Sequence, residues 1–509
     1  MTRPDTTPPW LALESLSREA RGTSALAPLE AAGLYADFSR QSIDEPVVQS
    51  LLALADAMRV AERRDSMFDG GVVNASEGRP ALHTALRAGP DCGAYVSGEK
   101  VSPFIQAQLD RMGRFADAFR SGRFRSIAER RFTDVVNIGI GGSLLGPAMA
   151  CEALSRFADG PRMHFVSNVD GAHLAQTLKG LDPTTTFFTV TSKTFTTDET
   201  LANATSAQSW LRRHLGEEAL AAHMAAITAN PDEARRQRYA DERIFEFRDW
   251  VGGRFSLWSP VGMPIALANG MSVFRQLLDG ARAMDDHFRA APFRENLPVM
   301  LALTGIWNRN FRGMRAHAIL PYAQRLARLP AYLQQLEMES NGKSVDQTGL
   351  PVAYPTCPAI FGEAGTNGQH SFHQWLHQGT DLVSSDILLV AEPESASALH
   401  HEKLLANGLA QADALWIGHR SDLPYARHEG GRPVSLLVLP ELNAFSLGAL
   451  LALYEHKVFV QGAIWNIDSF DQWGVELGKS IARALLSPLQ GREPGPPHLQ
   501  TIIERLRRV

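Results

Sequence analysis

The stretch that most limits what this chain can become is Phe187-Phe188-Thr189-Val190-Thr191-Ser192-Lys193-Thr194-Phe195-Thr196-Thr197. An apolar, β-prone run stops at hydroxyls and one lysine. Asp198-Glu199-Thr200-Leu201-Ala202-Asn203-Ala204 then reads as the start of a helix. A buried strand that feeds a helix through a short loop belongs to a parallel sheet covered on both faces. The pattern recurs. Residues 135–140 read as a buried strand followed by Gly141-Gly142-Ser143 and a helix through Leu154; residues 163–166 read as a second strand, and 172–178 as a helix. The alternation runs to about residue 270. A second block follows, with helices near 297–310, 325–339 and 397–414 and strands near 316–320, 387–390 and 434–439. The expected fold class is therefore α/β, with two doubly wound domains. Residues 1–95 read as helices joined by polar turns, and a Pro/Gly-rich linker at 488–497 leads to a last amphipathic helix at 499–507.

Bulk properties exclude several classes. The chain has 509 residues, 44% hydrophobic and 21% charged, with a net charge of −5. That gives no electrostatic case for nucleic acid or an anionic membrane. The greasiest run, residues 444–454, is too short to span a bilayer and meets Glu455-His456-Lys457. Cys92, Cys151 and Cys357 are far apart and odd in number, so no disulfide framework is expected. With no apolar signal region at the N-terminus, this fits a cytoplasmic protein.

The loop after the third strand offers free backbone N–H groups, hydroxyls and an ammonium at one point, a good phosphate seat. Lysine occurs only at 100, 179, 193, 343, 403, 457 and 479, and arginine carries the other basic positions. A lysine kept in a tight loop is then wanted as a compact ammonium. Gly139-Ile140-Gly141-Gly142-Ser143 resembles a dinucleotide fingerprint but fails on spacing, because Leu144 stands at the third glycine position. Its glycines still allow backbone to approach a ligand, and Ser143 opens a helix. In Asp249-Trp250-Val251-Gly252-Gly253-Arg254, two glycines fix a guanidinium able to stabilise an oxyanion. Gln335 and Glu339 share a helix face, and Asn341-Gly342 stops that helix. The helix dipole disfavours a carboxylate at Glu339, a setting suited to a general base. His370 lies in a turn-rich loop and suits acid–base work; His370, His373 and His377 could share a helical face, but no cysteine or close aspartate completes a metal set. Residues 470–479 read as a helix with Gln472 and Lys479 on one face.

Together these motifs resemble the glucose-6-phosphate isomerase (phosphoglucose isomerase) family. The stretches that carry the likeness are residues 139–147, 192–200, 249–262, 338–343, 366–370 and 469–479, with Ser76-Glu77-Gly78-Arg79 and Leu82-His83 earlier. The resemblance implies two αβα-sandwich sugar-isomerase domains with parallel-type sheets: a smaller one over 100–270 and a larger one from 1–99 with 271–487. Residues 488–509 form a C-terminal linker and helix. It implies a cofactor-free, metal-free aldose–ketose isomerase of glycolysis and gluconeogenesis. Carried over by position, Ser192, Lys193, Thr194 and Thr197 bind the substrate phosphate, with Gln472 closing over it. Gly142, Ser143 and Gln335 line the site. Glu339 is the base, Arg254 stabilises the cis-enediolate, His370 and Lys479 serve ring opening, and Glu199 orients the histidine. It implies a homodimer in which His370 reaches the neighbouring subunit's site. Leu144 departs from an acidic residue of many relatives, but no role rests on it. The competing readings are an isomerase for another sugar phosphate, an amidotransferase-type isomerase domain, which would want an N-terminal cysteine, and a sugar-phosphate sensor, which would want a DNA-binding module.

Overall fold

A computed structural model describes residues 2–19, 24–90, 92–394 and 397–507. The chain divides into two compact units, residues 1–469 and 470–509. In the first unit the strands are β1 (Leu29–Ala31), β2 (Leu34–Arg40), β3 (Tyr95–Val96), β4 (Glu99–Lys100), β5 (Asp134–Ile138), β6 (Arg162–Val166), β7 (Thr186–Thr191), β8 (Met224–Thr228), β9 (Ile244–Glu246), β10 (Ala316–Pro321), β11 (Ala359–Gly362), β12 (Val383–Val390) and β13 (Val434–Leu439).

Two larger sheets result. The first has the order β6-β5-β7-β8-β9 and is parallel throughout. Strands β5, β7 and β8 are buried along their whole length, as expected of near-continuous apolar runs covered on both faces. Val136, Ile138, Phe188 and Val190 meet Leu174, Ala207 and Leu211 from the covering helices. The second sheet has the order β1-β2-β13-β12-β10-β11. Its four later strands are parallel, and β2 joins β13 antiparallel. Its core sets Ala318, Leu320, Ile387 and Leu436 against Leu376, Ala412 and Leu415.

The α/β expectation holds, with one correction. Residues 1–95 are not helices alone, because β1 and β2 form a hairpin that extends the second sheet. Leu34, Ala36 and Phe38 are buried while Tyr35 and Asp37 are less so, the period of two of a half-covered strand.

Helix Ala444–Trp465 is buried at every position but Phe445. It crosses helix Met271–Ala290 at backbone contact. A Cβ on Gly280 would sit 1.9 Å from the Phe445 carbonyl oxygen, and one on Gly448 would sit 2.0 Å from that of Leu277. Among the described residues no helix is long and apolar enough to cross a membrane.

In the second unit a 3₁₀ turn, Trp473–Val475, precedes helices Glu476–Leu489 and Gln500–Leu506. The single helix expected over 470–479 is not formed. Gly474 costs a helix interior about 1 kcal/mol, and Glu476 supplies the acidic first turn where the helix does begin. Pro488 lies within that helix rather than in a linker.

Candidate functional site

In the first sheet the chain leaves β5 toward β6 on one side, while β7 lies on the other. Loops after β5 and β7 therefore diverge and leave a crevice beyond their carboxyl ends, where ligands bind in open α/β sheets. Both stretches singled out in the sequence, Gly139–Ser143 and Ser192–Thr197, are those loops.

The glycines make the crevice possible. A Cβ on Gly142 would lie 2.0 Å from the Gly253 carbonyl oxygen, so only glycine lets the β5 loop touch the turn that carries Arg254. Gly141 has φ +58°, and its missing Cβ would stand 3.1 Å from Gln335 Nε2. Ser143 is half-buried beside them.

After β7 the chain folds onto itself. The Phe195 N–H donates to Ser192 Oγ at 3.1 Å, and Ser192 Oγ shares a hydrogen bond with Thr197 Oγ1 at 3.1 Å. Phe195 takes φ +57° and is fully buried, turning the loop back. Thr196 Oγ1 lies 2.8 Å from Thr194 Oγ1. Thr197 is the N-cap of helix Asp198–Leu215 and makes no side-chain cap bond. The Lys193 ammonium donates to the Asp249 carbonyl oxygen at 2.7 Å. Burial pushes its pKa down to about 8; Arg79 and Arg254 add to the fall, while Glu77 and Asp249 oppose it.

Facing these loops, helix Leu329–Leu333 widens into a π-helical segment, Gln334–Glu339. Gln335 Nε2 donates to Glu339 Oε2 at 2.8 Å, so the expected shared face is present. The Glu339 side chain is 23% exposed, enclosed yet reachable. Arg254 is buried. Its Nε donates to Ser340 Oγ at 2.6 Å and its Nη2 to the Ser469 carbonyl oxygen at 2.5 Å. Nη1 stands 3.8 Å from Glu339 Oε1. A fixed guanidinium and a carboxylate thus face one another beside a glycine turn, with a lysine-bearing hydroxyl loop on the same crevice. Arg254 is locked further from behind. Trp258, ending the same turn, donates from Nε1 to Glu455 Oε1 at 2.8 Å, and Glu455 is paired with Arg87 at 2.5 Å. Burial pushes the Glu455 pKa up to about 7.

His370 stands apart, exposed on the 3₁₀ turn Asn367–His370. The turn is moored to the end of β10. Gly365 N–H donates to the Pro321 carbonyl at 2.9 Å, and Gln369 Nε2 to the Tyr322 hydroxyl at 2.8 Å. Glu199 lies in the first turn of helix Asp198–Leu215. His373 and His377 both bond the side-chain oxygen of Gln411, at 2.9 and 2.8 Å. Among the described residues no group of three metal-ligating side chains exists. In the C-terminal unit, Gln472 precedes the 3₁₀ turn, and Lys479 Nζ donates to Glu476 Oε1 at 2.7 Å. The two therefore do not share a face of one helix.

Sequence reading missed Ser340 and Ser469 as the acceptors that hold Arg254. Ser340 directly follows Glu339, which was a usable signal; Ser469 had none. It also gave no role to Arg79, whose Nη1 shares the Asp249 carbonyl with Lys193 at 3.5 Å.

Fold and site together define a class: doubly wound α/β proteins with a polar, cation-bearing crevice at the switch point of a parallel sheet. Within it, the chain belongs to the phosphoglucose isomerase family, whose model matches residues 37–495. A glucose-6-phosphate isomerase of Sinorhizobium medicae (strain WSM419) is 48% identical over 485 residues, covering 91% of this chain and 90% of its own. One of Cupriavidus metallidurans is 50% identical over 496 residues, covering 94% and 92%. The crystal structure of a glucose-6-phosphate isomerase from Chlamydia trachomatis superposes with a TM-score of 0.90 at 32% identity, over 99% of both chains.

Proposed function

We propose that this chain interconverts D-glucose 6-phosphate and D-fructose 6-phosphate, as a homodimer in which His370 serves the neighbouring subunit's site. The observation that carries the reading is the meeting of Glu339, Gln335 and Arg254 at the glycine turn, opposite the Ser192–Thr197 loop. The Ser192, Lys193, Thr194 and Thr197 groups hold the phosphate, so the reacting carbons sit toward Glu339. Gly142, Ser143 and Gln335 line the sugar. His370, oriented by Glu199, opens the ring by moving a proton from O1 to the ring oxygen. Glu339 takes the proton from C2 and returns it at C1, while a proton passes between O1 and O2. The intermediate is a cis-enediolate, whose negative charge falls beside Arg254. Gln472 and Lys479 are assigned to phosphate closure and ring opening on family likeness alone. The reaction moves protons between neighbouring atoms and needs neither a hydride carrier nor a metal.

The test is a coupled assay with fructose 6-phosphate after exhaustive EDTA treatment and without added nucleotide. Formation of glucose 6-phosphate is expected. A protein with an intact fold that gives no turnover, or only when a divalent ion is restored, would overturn the reading.

A further inference from the structure

Glu455, His456 and Lys457 interrupt the buried helix Ala444–Trp465, and each has a buried partner. Glu455 has Arg87 and Trp258, and His456 Nε2 meets Asp285 Oδ1 at 2.6 Å. Both of these pairs secure helices and the turn ending at Trp258. The third is different. Lys457 Nζ donates to Glu337 Oε2 at 2.6 Å, and the two side chains are only 3% and 2% exposed. Glu337 lies two residues before Glu339, on the same π-helical segment.

That segment has two faces. Gln335 and Glu339 face the crevice and bond one another, while Leu336 and Glu337 are buried. A π-helical turn is rare and strains against the α register, and it persists where surrounding contacts enforce it. Besides the Arg254 bond to Ser340, two of the contacts that hold it come from one place on the buried helix Ala444–Trp465. Lys457 holds Glu337, and the next carbonyl, that of Val458, accepts from Asn341 Nδ2 at 2.9 Å. The segment is thus gripped on both sides of Glu339.

Stability does not account for the pair. Two charges removed from water regain little more than their desolvation cost, and apolar residues of similar size do as well. Among the described residues Lys457 is the one buried lysine, in a chain that otherwise favours arginine. The ammonium is compact enough for its place, where a Cβ on Gly305 would stand 3.9 Å from Lys457 Cε.

We propose that Lys457 and Glu337 are positioning residues: their buried ion pair holds residues 334–339 in the wide register and so aims the Glu339 carboxylate at the reacting carbons. This rests on the reading of Glu339 as the base. The test compares Lys457→Met, which strands the Glu337 carboxylate, with the double variant Glu337→Leu/Lys457→Met, which removes both charges. Lys457→Met should lower the thermal midpoint and kcat together. The double variant should recover most of the midpoint, yet keep kcat at least about tenfold down, since misplacing a catalytic group by about 1 Å costs on the order of a hundredfold. Its KM for fructose 6-phosphate should stay within about twofold of wild type, because the phosphate loop is untouched. Glu337→Gln/Lys457→Met carries the same test should the first pair fail to fold. If kcat returns along with the midpoint, the pair is only structural and the proposal falls. A fall in kcat matched by a comparable rise in KM would overturn it too, since the whole site would then have moved. Wild-type protein without isomerase turnover would instead defeat the function proposed above.

Discussion

The two sheets share one strand order but treat their switch points in opposite ways. In the first, β6-β5-β7-β8 places the second strand outside the first and the third inside; β11-β10-β12-β13 repeats this in the second. Beyond β5 and β7 stand bare glycine backbone, hydroxyls and an ammonium of lowered pKa. Beyond β10 and β12 stands a forked ion pair. Arg325 Nε and Nη2 donate to Glu394 at 2.7 and 2.6 Å, Nη2 also reaches the Leu442 carbonyl at 3.1 Å, and Nη1 donates to the Ala153 carbonyl. The topology offers two crevices. At one, side chains meet in a forked ion pair of the chain's own charges; the other is the crevice to which the substrate is assigned above. A switch point is an opportunity that local residues take or refuse.

The largest effect that could break this contrast is at Glu339. Replacing Glu339 with Gln keeps shape but removes the proposed proton acceptor, so kcat should fall on the order of a thousandfold or more with inhibitor affinity little changed. A variant retaining more than a tenth of wild-type turnover would remove Glu339 from the first crevice's chemistry.

Next comes the shared site. Refolding Glu339→Gln and His370→Ala proteins together in equal amounts should restore roughly a quarter of wild-type activity per site, since random pairing gives half heterodimers with one intact site each. No recovery, with heterodimers confirmed, would mean that His370 serves its own subunit.

Lys193 sharpens the contrast at smaller scale. In the proposed phosphate seat, Lys193→Ala removes a charged contact common to ground and transition states, so KM should rise roughly tenfold to a hundredfold, more than kcat falls. The pKa of about 8 adds a pH dependence. The free protein carries the ammonium below that pH and loses it above, so kcat/KM should fall as pH rises through about 8. Lys193→Arg, which stays charged, should move that limb upward. An unchanged limb would assign it to another group.

The smallest catalytic effect is expected at the other switch point. Arg325→Leu leaves Glu394 without its fork and should cost about 1–3 kcal/mol of stability, read from denaturant unfolding, with kcat and KM within about twofold of wild type. A tenfold loss of kcat/KM would show that the second crevice is not merely closed.

What the sequence made legible follows from the range of the forces involved. Strands β5 and β7, buried throughout, and β13, buried but for a half-covered Val438, were readable because burial on both faces writes a mostly apolar run. The hydroxyl-rich loop after β7 and the Gln335–Glu339 face were readable because their geometry is local. The hairpin β1–β2 was missed because its period of two is short and sits among helices. The break at Gly474 was missed because spacing to Lys479 outweighed a glycine's helix cost. The acceptor from Ser469 to Arg254 could not be read at all, being set by chain folding over more than two hundred positions.

The hairpin has a consequence for how the protein is made. Tyr35 of β2 pairs with Val438 of β13, about 400 residues later. At about 5–20 residues per second a ribosome needs on the order of 20–80 s to supply that partner. Throughout that interval the nascent N-terminal hairpin presents an unpaired edge, with the sheet it must join not yet synthesised. The first sheet, built wholly from residues 134–246, can close on itself long before. Synthesis therefore completes the first sheet and its two loops early, while Gln335, Glu339 and Ser469 arrive only later, and it leaves the hairpin among the last elements to find its place.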